Sequence, residues 1–141
     1  MTMNRKLTRA TDVNRVSELL GLPEEINDTE GLSAQVSVGL PTASLEKILE
    51  VLNSQPELNL IPERAFRRAK SEKLPLSHVK SQILYDFARA YVVADRVYHG
   101  NGALVMRFLE KPNPHLGGAA PMSLAITSPA GADAVIELLN N

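Results

Sequence analysis

The apolar residues of this chain recur at helical spacing along nearly its whole length. Val13, Val16, Leu19 and Leu20 fall on one helix face, and Gly21 and Pro23 end that helix. A second segment around Leu32 to Val38 runs into Gly39-Leu40-Pro41. There the glycine suits a left-handed C-terminal cap and the proline blocks continuation. A third helix starts near Thr42 or Ser44, with Leu45, Ile48, Leu49 and Leu52 as its core stripe, and Asn53 to Leu60 reads as a loop or short turn. Pro62 suits the first position of a fourth helix, with Glu63 in the turn where the helix dipole favours a carboxylate. That helix ends before Leu74-Pro75. Ser77 caps a long fifth, on which Val79, Ile83, Phe87, Ala90, Ala94 and Val97 keep helical spacing until Gly100. Asn101 caps a sixth carrying Leu104, Val105, Phe108 and Leu109, and Pro112 and Pro114 end it. A short helix begins at Pro121. A last one follows Ser128-Pro129 with Val135, Ile136, Leu138 and Leu139.

Gln35 to Val38 and Tyr91 to Val93 have local β character, but no run alternates cleanly. The pattern predicts an all-α fold. No period of 20–50 residues repeats. A division near Leu74-Pro75 would separate an N-terminal helical domain, residues 1–74, from a C-terminal one, residues 75–141, built on the long fifth helix.

At 141 residues the chain is long enough for a true core. It has no cysteine, which excludes disulfides and thiolate chemistry and fits a reducing compartment. The first ten residues are basic without an apolar run behind them, so no signal peptide is visible. No segment approaches the length of a membrane span. The expectation is a soluble cytoplasmic protein without a membrane partner.

The net charge of −1 hides a segregation. Between Gly21 and Ile61, seven carboxylates face Lys47 alone; between Pro62 and Lys80, six cations face Glu63 and Glu72. Opposite charge blocks of this kind point to local electrostatic roles. On a helix, Arg64, Arg67, Arg68 and Lys70 form a positive face suited to phosphate and major-groove contact. The helix, Gly-Leu-Pro turn and helix upstream have the connectivity of a helix-turn-helix. The other reading is a solvated basic face that answers the acidic stretch. From Pro112 onward there is no Lys or Arg, and an apolar, sparsely charged terminus is either core or a surface for a partner.

Candidate catalytic chemistry is sparse. His78, His99 and His115 form no pair at ligand spacing, which argues against a transition-metal site. Gly117-Gly118 lacks the Gly-Lys-Ser/Thr of a phosphate loop and reads as tight turn geometry. The serines have no nucleophile-elbow context, and no paired carboxylates stand out from solvated stretches. Neither an enzyme nor a bound cofactor is expected.

Several pieces fall in a distinctive order. They are Gly39-Leu40-Pro41, then Ile61-Pro62-Glu63-Arg64-Ala65-Phe66-Arg67-Arg68, then Phe108-Leu109 with Pro112-Asn113 and Leu116-Gly117-Gly118-Ala119-Ala120-Pro121-Met122, and a Gly131, Val135, Leu138 ending. From Leu32 to the C-terminus this resembles the Xre/MbcA/ParS antitoxins. The resemblance implies a two-part all-α antitoxin. Its N-terminal part would be a helix-turn-helix-like DNA-binding and dimerisation domain that represses its own operon, and its C-terminal part a toxin-binding domain. The implied partners are a RES-domain toxin, which consumes NAD or transfers ADP-ribose from it, and operator DNA. The assembly would be a homodimer within a hetero-oligomeric complex that blocks the toxin's active site. The competing class is a stand-alone helix-turn-helix regulator with no toxin.

By position, Leu116, Gly117, Gly118 and Pro121 match the family's loop-shaping signature, a backbone role suited to Gly and Pro. Arg64, Arg67 and Arg68 match its basic segment, with Lys70 beside them. The toxin-touching surface is expected on the last helix, at Val135, Leu138, Leu139, Asn140 and Asn141. If a C-terminal tail plugs the toxin, the terminal carboxylate or the Asn140 and Asn141 amides are the groups expected to do so. The chain departs from the pattern at Phe108, where Trp is usual, at Ala65, where Thr is common, and at Ala120, where Thr often precedes the proline. Ala65 removes a hydroxyl that could reach phosphate.

Overall fold

Side-chain caps set the starts of four of the described α-helices. The computed structural model describes residues 10–23, 26–51 and 63–141. Among these, the regular elements are all helical: α1 (Ala10–Leu19), α2 (Thr29–Val38), α3 (Thr42–Val51), α4 (Glu63–Ser71), α5 (His78–Val97), α6 (Gly102–Glu110), a 3-10 turn (Pro114–Leu116), α7 (Pro121–Thr127) and α8 (Pro129–Leu139). The Ser77 side chain accepts from the Lys80 amide and Asn101 from Leu104, so the two expected caps each satisfy a donor at a helix start, and Ser128 does the same for α8 through the Gly131 amide. α2 starts earlier than its apolar pattern indicates, because Asp28 caps it through the Gly31 amide. Gln35 to Val38 and Tyr91 to Val93 lie inside α2 and α5, where tertiary packing overrides β propensity. Leu52, Asn53 to Leu60 and Pro62 lie outside the described residues.

The architecture is set by α5. This 20-residue helix packs against α1, α2, α3, α6, α7 and α8. A helix surrounded in this way cannot be amphipathic. Leu84, Phe87, Ala88, Ala90, Val92, Val93 and Ala94 are all buried, on several faces. The alanines matter for their size, since small residues let neighbouring helices approach. At its N-terminal end the helix departs from the spacing argument. Val79, which falls on the apolar stripe, is 68% exposed, and Ser81 and Leu84 take the buried side.

Ser81 has a specific task there. Its hydroxyl accepts from the Leu40 amide at 2.8 Å, and the Leu76 amide donates to the Leu40 carbonyl at 2.8 Å. The Gly-Leu-Pro turn is thereby pinned onto the start of α5, and both polar groups of Leu40 are satisfied in a buried place. Gly39 has φ 116° and ψ 129°, outside the left-handed helical region expected of it but still a conformation that other residues rarely adopt. A Cβ there would also collide with the Leu76 carbonyl oxygen. Ser44 donates to the Leu20 carbonyl at 2.6 Å and ties α3 to the end of α1.

One hydrophobic cluster runs from Val13 through α5 to Leu139. The boundary between 74 and 75 falls in the turn before α5, but the core continues across it because α5 supplies apolar surface to both halves. α4 is the peripheral element. It buries no residue fully and rests through Ala65, Phe66 and Ala69.

α7 and α8 pack closely because Gly131 lies against the Leu124 backbone. Replacing Gly131 with Ala forces a Cβ into the Leu124 carbonyl, where backbone must move. We expect Gly131→Ala to lower stability by about 1–3 kcal/mol in urea unfolding. Gly102→Ala, where a Cβ meets nothing within 4 Å, is expected to stay near wild type. Equal stability of the two variants would contradict the close approach.

Candidate functional site

Two surfaces carry the chemistry that the sequence singles out. The first is α4. Arg67 and Arg68 are 76% and 79% exposed at their side chains. Helical spacing pairs Arg67 with Glu63 and Arg68 with Glu72, while Lys70 reaches across to Glu46 on α3 at 3.0 Å. The ammonium of Lys70 also lies 5.7 Å from the centre of the Phe66 ring. Arg64 is exposed and forms no ion pair among the described residues. The four cations therefore share one solvent-facing helix, and three of them hold carboxylates by exposed contacts worth only about 0–1 kcal/mol each.

The second surface is built by the C-terminal elements. Asn113 organises the turn after α6. Its side chain accepts from the His115 amide at 2.9 Å, its carbonyl accepts from Leu116 and Gly118 at 3.0 Å each, and its own amide donates to Ala119 at 3.1 Å. Gly117 and Gly118 take φ 66° and 87° with open space around them, so the backbone conformation is what demands glycine. Leu116 packs against the core, and buried Pro121 is the first residue of α7. Ala120 occupies the cap position of α7 with extended backbone but no side-chain hydrogen bond.

The last helix departs from what was expected of it. Val135 is fully buried and Leu139 is 9% exposed; both belong to the chain's own core, on a helix that packs against α5 and α7. Their spacing marks an apolar face, and the interior of this chain uses that face. Leu138 is half-buried, while Asn140 and Asn141 are exposed. The Asn140 side chain accepts from Arg96 at 2.8 Å, so its amide is engaged by the fold.

That bond belongs to one of two arginine clasps that hold the C-terminal elements, and neither stood out in the sequence. Arg96 on α5 donates through Nε to both oxygens of buried Asp12 on α1, at 3.1 and 3.2 Å, as well as to Asn140. Arg89 donates to Asp86 and to Asp133 of α8, at 2.7 Å each, and lies over the Tyr85 ring at 5.2 Å. Burial pushes the Asp86 carboxyl above its ordinary value, although the bonds from Arg89 and Gln82 pull the other way. Burial also works against the Arg89 charge, but bonding to Asp133 and Asp86 outweighs it and keeps the guanidinium firmly cationic. The only signal in the sequence is polar residues interrupting an apolar central helix.

Between the end of α5, α6 and the Asn113 turn lies an open groove of about 330 Å³. Tyr98, Leu104 and Phe108 contribute its apolar lining, and Arg107, Lys111 and His115 its polar lining. The Tyr98 and Phe108 rings are in tilted contact, 5.9 Å between centres. Among the described residues no three His, Asp or Glu side chains are placed to hold a metal ion, and no helix is long and apolar enough to cross a membrane.

Residues 93–141 match the family described as the antitoxin Xre/MbcA/ParS C-terminal toxin-binding domain. The match starts in the second half of α5 and takes in α6, the Asn113 turn, α7 and α8. No curated protein sequence matches the chain significantly.

Two predictions follow the geometry of this region. Arg89→Met strands the buried Asp86 carboxylate and should cost about 3–5 kcal/mol near neutral pH. Because burial raises the Asp86 pKa in the folded state, its contribution is fully present below the ordinary value of 3.8 and is lost as pH rises through the folded value. The deficit of Arg89→Met in urea unfolding should therefore shrink as pH falls from about 7 towards about 5; a deficit independent of pH would exclude the stranded carboxylate as its cause. Ala120→Thr supplies the missing cap and should stabilise the protein by about 0.5–2 kcal/mol, read as a raised thermal midpoint.

Proposed function

Starting from a chain that carries an Xre/MbcA/ParS-type antitoxin domain, we propose that it binds a RES-domain, NAD-using toxin and keeps it inactive by covering the active site. The family match over residues 93–141 carries this reading. The elements in that match are rigidly seated. α6, α7 and α8 pack on α5, and the Asn113 turn is closed by its own hydrogen bonds. A surface built in advance loses little freedom on binding, which favours a tight protein complex. In this reading the chain performs no catalysis and needs no cofactor; it acts by occupying the toxin.

The same chain represses its own operon through α4, as a homodimer within a larger antitoxin-toxin complex. What supports this is the exposure of Arg64, Arg67, Arg68 and Lys70 on one helix downstream of the α2-turn-α3 pair. Their weak exposed ion pairs can be exchanged for phosphate at small cost, and binding would release the counterions of the DNA. Two copies would place two such helices on a symmetric operator.

The toxin reading is tested by co-expressing the chain with the product of the neighbouring gene. A RES-domain protein should be retained through purification and its toxicity suppressed, and a wild-type chain that neither binds nor protects would overturn it. The DNA reading is tested with Arg67→Ala/Arg68→Ala. Operator affinity should fall, and the salt slope should flatten by about 0.9 for each phosphate that the variant leaves unneutralised. Toxin neutralisation should persist. Unchanged operator binding would remove α4 from the interface, and loss of both functions would indicate unfolding.

A further inference from the structure

The groove beside α6 differs from the rest of the matched domain in charge. Within residues 93–141 the cations are Arg96, Arg107 and Lys111, since none follows Pro112. Arg96 is taken up by Asp12 and Asn140. Arg107 and Lys111 form no ion pair among the described residues. Both line the groove, and every formally charged residue that lines it is a cation. The positive charge that this domain leaves for a partner is thus gathered in one place.

The walls of the groove are ready-made. Its apolar lining is the Tyr98 and Phe108 ring pair with Leu104, a large apolar residue that α6 leaves 39% exposed. The far wall is the Pro112 to Pro114 segment, closed by the four hydrogen bonds of Asn113. Gly117 and Gly118 supply the positive φ values that let the chain turn back there. The motif that reads as loop-shaping in the sequence therefore shapes one side of this cleft.

We propose that the groove is the seat for an acidic segment of the toxin, with an apolar side chain against Leu104 and Phe108 and its carboxylates against Arg107 and Lys111. This deepens the toxin-binding reading and rests on it. The charge complementarity selects the occupant: a basic segment would leave the cations unanswered, and a duplex phosphate backbone would leave the apolar lining unanswered. The His115 side chain adds a hydrogen-bonding group to the lining. Because Arg107, Lys111 and Leu104 are exposed, changing them leaves the core intact.

The test measures the affinity of the purified toxin from the neighbouring gene for wild-type chain, for Arg107→Glu/Lys111→Glu and for Leu104→Asp. Both variants should keep the wild-type melting temperature and bind the toxin roughly tenfold or more weakly, with the charge-reversal defect largest at low salt. Wild-type affinity in both variants would overturn the groove while leaving the toxin reading standing. Absence of any wild-type complex would overturn both. If the charge reversal instead spared toxin affinity and abolished operator binding, the occupant would be nucleic acid. If it spared toxin affinity and dissolved a wild-type dimer, the occupant would be a second copy. Either result rejects the proposal.

Discussion

The burial of α5 on several faces beyond its first turn is the constraint from which the arrangement follows. Six helices pack against it, and the chain on both sides of Leu74-Pro75 uses it as a floor. A central helix of this kind has little room for large side chains along every face, which is why Ala88, Ala90 and Ala94 sit among Leu84, Phe87 and Val93. It also brings polar side chains inside with it. Asp86 and Arg89 must be satisfied where water does not reach, and a buried charge costs several kcal/mol unless it is paired. They pair with each other, α8 adds Asp133 to Arg89, and Arg96 on the same helix is paired separately with Asp12 of α1. These bonds fix where neighbouring helices sit along α5, a specificity that apolar packing alone gives poorly.

This arrangement divides the labour of the chain. The last helix is consumed by the core: Val135 and Leu139 answer α5, and Asn140 is drawn back to Arg96. The exposed cations of the matched domain, Arg107 and Lys111, stand on α6 and at the start of the Asn113 turn. At the other end, α4 is attached to the core through Ala65, Phe66 and Ala69 and presents the rest of its surface, mostly cationic, to solvent. α4 buries no residue fully, whereas α6 commits Val105 and Leu109 to the core and leaves Leu104, Arg107 and Lys111 on its outer side.

Much of the fold was legible from local chemistry. The caps at Ser77, Asn101 and Ser128, the breaks at Gly39-Leu40-Pro41 and Pro112, and the helix start at Pro121 all act within a few residues, and local sequence contains everything they require. The turn at Leu116, Gly117, Gly118 and Pro121 was legible for the same reason, because Gly and Pro declare backbone conformation directly. The exposure of the α4 cations follows from their charge, as does their distance from the core. The sequence by itself therefore determined the helical class, the positions of most helix ends, the turn-forming motif and the basic segment.

Only the tertiary structure decided which apolar faces were spent internally. Periodicity marks Val135 and Leu139 as one face and Leu104 and Phe108 as another, but it cannot say which face meets a neighbouring helix, because that depends on residues far apart in sequence. The same limit hid the pairs Asp12–Arg96 and Arg89–Asp133, separated by 84 and 44 residues. It also hid the groove, whose lining from Tyr98 to His115 becomes a surface only once α6 folds back beside α5. Local capping and charge are set by covalent neighbours, whereas burial is set by the helices that arrive from elsewhere in the chain.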